Sequence, residues 1–219
     1  MGVYIQYLET RQMSNMKRAV TKISDRDIKT NLREWINEAM NHPEIWNDGI
    51  DWYKEAQEFC ESTAIAHWMD SYDVAVITAI LSPNNKWERN KVDAITVIKA
   101  WKAGLNAEQV KVCTYSANKR KAFDYLDGKV DLVRKSPKTH SFAMNVGLLS
   151  PEHITIDKWH LRACVGVPND GVFDAVESCT IAQYRRIEML TSSVAQEYAL
   201  KGYEVQAIIW VMIKNIWNR

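Results

Sequence analysis

Eight glycines and five prolines are spread over 219 residues. That scarcity constrains the fold more than any other feature of the chain. Gly and Pro punctuate secondary structure, so few of them leave room for long, uninterrupted helices. Residues 25–40 (DRDIKTNLREWINEAM) place Ile28, Leu32, Trp35, Ile36 and Met40 on one helical face, and His42-Pro43 ends the run. Residues 50–69 form a second amphipathic segment. The stretch 72–81 (YDVAVITAIL) is apolar all round, which fits a central buried helix or a buried strand, and Ser82-Pro83 stops it.

Further helices are expected from Trp87 to Gly104, in a short turn opened by Asn106, and over 116–126 with a serine cap at Ser116 and a break at Gly128. Thr139–Val146 and Asp157–Val165 read as two short helices, and 181–200 and 203–217 as two long ones separated by Gly202. Only 150–156 suggests an extended segment. The fold class is therefore all-α, with about ten helices. The expected organisation is N-terminal helices over 1–70, a core over 71–165, and closing helices over 166–219 that pack back on the N-terminal ones.

The formal net charge is +1, so the total gives no general affinity for polyanions, and local patches must carry any such argument. Cys60, Cys113, Cys164 and Cys179 have the spacing of neither a zinc site nor a cluster loop, and reduced thiols are expected. No metal or cofactor is expected. No apolar run reaches the roughly 18–20 residues that span a bilayer, and MGVYIQYLETRQ lacks the apolar core of a signal peptide. A cytoplasmic monomer with no membrane association is the expectation.

Three stretches carry chemistry. Lys138 and Asp157 each stand at the mouth of an expected helix. A partly desolvated lysine at a helix start can act as a neutral amine nucleophile. Asp157 follows a β-branched run and fits a cap or first-turn position, so a plain capping role and a chemical one both fit it. Ser82, Asn84, Asn85 and Lys86 crowd donors and acceptors at a helix junction, as a capped turn or as a contact to phosphates and base edges. Tyr115-Ser116-Ala117-Asn118-Lys119-Arg120-Lys121 combines a helix start with three cations, which suits phosphate or simply solvent.

Together these segments resemble the helix-hairpin-helix DNA glycosylases of the endonuclease III branch. AVITAILSPNNKWERNKVDAITVI (75–98), TYSANKRKAF (114–123), Lys138-Thr139 and ITIDKWHLRAC (154–164) are similar, in order and approximate spacing, to four of that family's segments. The resemblance implies a two-lobed helical fold with a cleft, and an enzyme acting on a base flipped out of double-stranded DNA. It implies Asp157 as the catalytic carboxylate, Lys138 as the amine of lyase-type members, and Asn84 or Asn85 as the side chain entering the base stack. Lys119, Arg120 and Thr139 would lie near backbone phosphates. Trp159 and His160 are pocket candidates, one turn along from Asp157 in the case of His160, for which a buried hydrogen-bonded histidine is the commoner role. The hairpin is degenerate: its glycines are replaced by Leu132-Val-Arg-Lys-Ser-Pro-Lys138, where Arg134 and Lys135 supply charge instead. Such departures also resemble virus-encoded relatives that build hypermodified thymines, displacing pyrophosphate from an activated 5-methyl group with a small amine or amino acid. In that case the location is the host cytoplasm. An inert DNA-binding module of the same fold is the third expectation.

Overall fold

The structure is a computed structural model and describes residues 23–131, 136–166 and 178–217. The described residues form nine α-helices and one short 3-10 turn, with no strand among them. The helices are α1 (Asp25–Met40), α2 (Pro43–His67), α3 (Ser71–Leu81), α4 (Trp87–Lys102), α5 (Ser116–Leu126), α6 (Pro137–Leu148), α7 (Lys158–Val165), α8 (Ile181–Glu197) and α9 (Gly202–Trp217); the 3-10 turn is Ala107–Gln109. The chain is thus all-α. It divides into two compact units, one of residues 1–52 and 156–219, the other of residues 53–155.

The first unit assembles around α1, which buries Ile28, Leu32, Trp35, Ile36 and Ala39. Its partners are α7, α8 and α9. Ser24 caps α1 by accepting the Asp27 N–H at 3.1 Å, and two acids in the first turn suit the positive end of the helix. Polar ties fix α1 on its neighbours. Asn31, buried, donates to the Cys164 carbonyl at the end of α7 at 2.8 Å. Gly166 follows with φ +106°, and a Cβ there would sit 3.0 Å from the Asn31 amide, so both conformation and space demand glycine. Arg33 grips Glu197 of α8 through two bonds of 2.7 and 2.8 Å. Gly49 lets the first part of α2 approach α9, because a Cβ there would meet the Ile208 Cα at 2.5 Å.

The second unit is built around α3. Every residue from Val74 to Leu81 is buried, so the all-round apolar run 72–81 is a central helix rather than a strand. Asp70 caps its start, accepting the Tyr72 N–H at 2.7 Å. Three helices surround it. Along α6 a Cβ on Gly147 would lie 2.9 Å from the Ala75 Cβ and 3.2 Å from Tyr72, so the C-terminal end of α6 is pressed on the N-terminal end of α3. Tyr125, near the end of α5, donates to Asp73 at 2.6 Å, again at the start of α3. Asn90, in the first turn of α4, donates to the Thr78 carbonyl at 3.0 Å, and Trp101 near the end of α4 reaches Asp127 beyond α5 at 2.9 Å.

Candidate functional site

Those contacts set helix directions in the second unit. Both α5 and α6 run antiparallel to α3, and α4 begins where α3 ends. The helices α3 and α6 are 11 and 12 residues long and in extensive contact, so the first turn of α6 comes level with the last turn of α3. The N-termini of α4, α5 and α6 therefore gather at one end of the unit, around Leu81. All three begin without a side-chain cap: Lys86, Tyr115 and Ser136 occupy the cap positions and make no cap hydrogen bond. Elsewhere α1, α3, α7 and α8 are capped by Ser24, Asp70, Asp157 and Thr180. First-turn amides and the positive ends of three helix dipoles thus collect at one place. Lys86 and Lys138 are exposed there. Glu88 is the acid in the first turn of α4, and Lys91 binds it at 2.8 Å.

Two of the sequence stretches are brought together at this end. The Asn84 side-chain amide donates to the Tyr115 hydroxyl, and Asn84 adopts a left-handed backbone at φ +56°. Asn85 donates to Asp93 at 2.9 Å. Asp93 is fully buried and also receives the Cys113 N–H and the Arg89 Nε, each at 2.9 Å. One carboxylate thereby pins the turn after α3 to the segment that opens α5. Asp93 was not expected from sequence, although an aspartate among Ala94, Val97 and Ile98 on the buried face of α4 was a signal.

The remaining sequence candidates fall as follows. The Ser82 hydroxyl bonds back to the Ala79 carbonyl at 2.9 Å and closes α3. Lys119 is half-buried and donates to the Val110 carbonyl at 2.7 Å, so it fastens the 3-10 turn instead of reaching outward. Arg120 is exposed and faces Glu108 at 3.3 Å. Ser116 is the first helical residue of α5, not its cap. Thr139 lies in the first turn of α6, half-buried. Lys138 follows Pro137 in that turn and is exposed. Arg134 and Lys135 lie outside the described residues.

Asp157 belongs to the first unit and caps α7, its Oδ1 accepting the His160 N–H at 2.8 Å. The chain is led to it by specific bonds. Asn145, buried in α6, donates to the carbonyls of Ser150 at 3.2 Å and His153 at 2.7 Å and accepts the Thr155 hydroxyl at 2.9 Å, fixing the 149–155 turn within the second unit. The Ile156 N–H then donates to the Tyr184 hydroxyl at 3.1 Å in the first unit. Residues 153–157 are irregular, not a strand. His160 takes the buried, hydrogen-bonded role: it is 1% exposed, its Nε2 lies 2.9 Å from the Thr191 hydroxyl, and burial pushes its pKa down to about 3, so it is neutral. Trp159 is half-exposed on α7.

Among the described residues no group of His, Cys, Asp and Glu could hold a metal ion, and no helix is long and apolar enough to cross a membrane. The four cysteines are free; burial pushes the Cys60 thiol up to about 12 and raises Cys164 as well. The chain belongs to a family of unknown function, DUF7178, whose model matches residues 13–216. No curated protein and no solved structure matches it.

Proposed function

We propose that the protein processes DNA bases: it holds a duplex by its backbone and acts on a flipped-out base, as an N-glycosylase with Asp157 as the reacting carboxylate. The observation that carries this reading is the meeting of three helix starts without side-chain caps, beside the exposed Lys86 and Lys138, at one end of the second unit. Amides and dipoles so arranged attract phosphate oxygens without regard to base sequence. The ordered likeness of four segments to the helix-hairpin-helix glycosylases supplies the chemistry. A carboxylate at Asp157 stabilises positive charge growing on the sugar as the glycosidic bond opens, or orients the attacking water. Lys138 takes the amine role only if a lyase step follows.

Product analysis by mass spectrometry on a panel of duplexes with modified bases tests the proposal. Wild-type protein releases a base, and Asp157→Asn loses at least about a hundredfold in rate. Asparagine caps a helix as well as aspartate does, so fold and duplex binding persist in the variant. Equal turnover by the variant sinks the assignment of Asp157. Duplex binding without any product reduces the protein to a binding module. An amine joined to a retained base assigns Asp157 to base modification with the glycosidic bond intact. Borohydride trapping on abasic DNA that vanishes in Lys138→Gln identifies Lys138 as the lyase amine.

A further inference from the structure

The other end of the second unit, where α3 begins, is apolar and acidic. Trp68 is 93% exposed there and Ile65 79% exposed. The two side chains stand one turn apart at the end of α2. Leu148, exposed at the end of α6, lies at the same end, because its neighbour Gly147 is pressed on Tyr72. A lone exposed hydrophobic residue is ordinary, but a bare indole beside a bare isoleucine marks an interaction surface.

The backbone adds a second observation. Trp68 has a left-handed conformation, φ +48°, and closes α2: the Met69 N–H donates to the Ala64 carbonyl across it at 3.1 Å. Glycine is the usual residue at that position, because a Cβ is disfavoured there. The tryptophan accepts this strain, and its indole gains almost no burial in return. A strained residue with no structural return points to function.

Charge decides what covers the surface. From Glu55 to Asn85 the chain holds no Lys or Arg but five acids, Glu55, Glu58, Glu61, Asp70 and Asp73. Glu58, Glu61, Ile65 and Trp68 follow one another at helical spacing, and both glutamates are exposed. Nucleic acid and anionic membrane are repelled by such a face. A second copy meeting it about a twofold axis would set acids against acids.

We propose that Ile65 and Trp68 anchor a partner protein through the apolar face of an amphipathic helix flanked by Lys and Arg, with Glu58 and Glu61 meeting those cations. The proposal goes beyond the reading of Asp157 and does not depend on it. The 11 residues of α3, roughly 16 Å of helix, separate this surface from the open helix starts, so both can be occupied at once.

Fluorescence anisotropy of the full chain with a labelled amphipathic peptide of leucine and lysine tests it, beside the same peptide with glutamate in place of lysine. The lysine peptide is expected to bind and the glutamate peptide to fail. Trp68→Gly should weaken binding at least about tenfold while melting at or above the wild-type temperature, since glycine suits the left-handed backbone. Glu58→Gln combined with Glu61→Gln should weaken binding and reduce its salt dependence. Ile181→Ser, which removes an exposed hydrophobic side chain from α8 in the first unit, should leave binding unchanged. The proposal is overturned if the lysine peptide does not bind, or if Trp68→Gly binds it as wild type does. It is equally overturned if Ile181→Ser loses as much affinity, or if Trp68→Gly melts well below wild type, which would give the indole a role in the fold. A dimer seen by light scattering and lost in Trp68→Gly would assign the surface to a second copy and likewise overturn it.

Discussion

His160 is a histidine that sequence alone leaves ambiguous. One turn beyond Asp157 it fits a pocket residue or, more commonly, a buried hydrogen-bonded histidine, and it lies buried against Thr191. The distinction comes from α8, a helix that starts more than twenty residues later in the chain. Its burial has a consequence in acid. The folded pKa is pushed down to about 3 from the ordinary value of 6.5. The native state thus binds fewer protons than the unfolded chain between those values. The contribution to stability is complete above about pH 6.5 and is lost as pH falls toward 3, by at most about 1.4 kcal/mol per pH unit. Carboxylates add a loss of the same sign, so the informative quantity is a difference. Denaturant titrations of wild type and His160→Gln across this range should show a shallower pH slope for the variant; parallel slopes would mean that His160 accepts a proton in the folded protein. Asp93 teaches the same lesson. A lone aspartate on the apolar face of α4 marks a buried partner, but only the fold reveals that Asn85, Arg89 and Cys113 converge on it.

At the scale of elements the sequence was more informative. The helix 25–40 matches to the residue, and the ends near Gly104 and Gly128 follow from their left-handed backbones, at φ +74° and +69°. Periodicity is a local property of each segment, so it survives without tertiary information. What it cannot supply is direction: nothing local indicates that α5 and α6 oppose α3 and so bring their open starts together. The α3–α6 contact is set by Gly147, where added bulk meets Ala75 at 2.9 Å and Tyr72 at 3.2 Å. Gly147→Ala should cost about 1–3 kcal/mol, since two packed helices must separate to admit a methyl group, outweighing the gain of roughly 1 kcal/mol in helix propensity. Chemical denaturation measures this directly. A stabilised variant would show that α6 yields easily.

Over the whole molecule, a net charge of +1 means that duplex affinity, if the proposal holds, must come from a few well-placed groups instead of a general field. Lys86→Gln and Lys138→Gln should then each reduce the log–log salt slope of duplex binding by about 0.9. Unchanged slopes would place the duplex on another surface. The division of the chain also sets an order of events during synthesis. Residues 53–155 form a continuous stretch, so that unit has all its own sequence once residue 155 has emerged from the ribosome. The first unit is interrupted: α1 must wait for α7, α8 and α9, which follow the second unit in the chain. Through that interval Ile28, Leu32, Trp35 and Ile36 lack α7, α8 and α9, the helices against which α1 packs. The nascent chain thus carries the apolar stripe of α1 across the synthesis of the whole second unit, and it is there, before α7, α8 and α9 arrive, that chaperones have the most to protect.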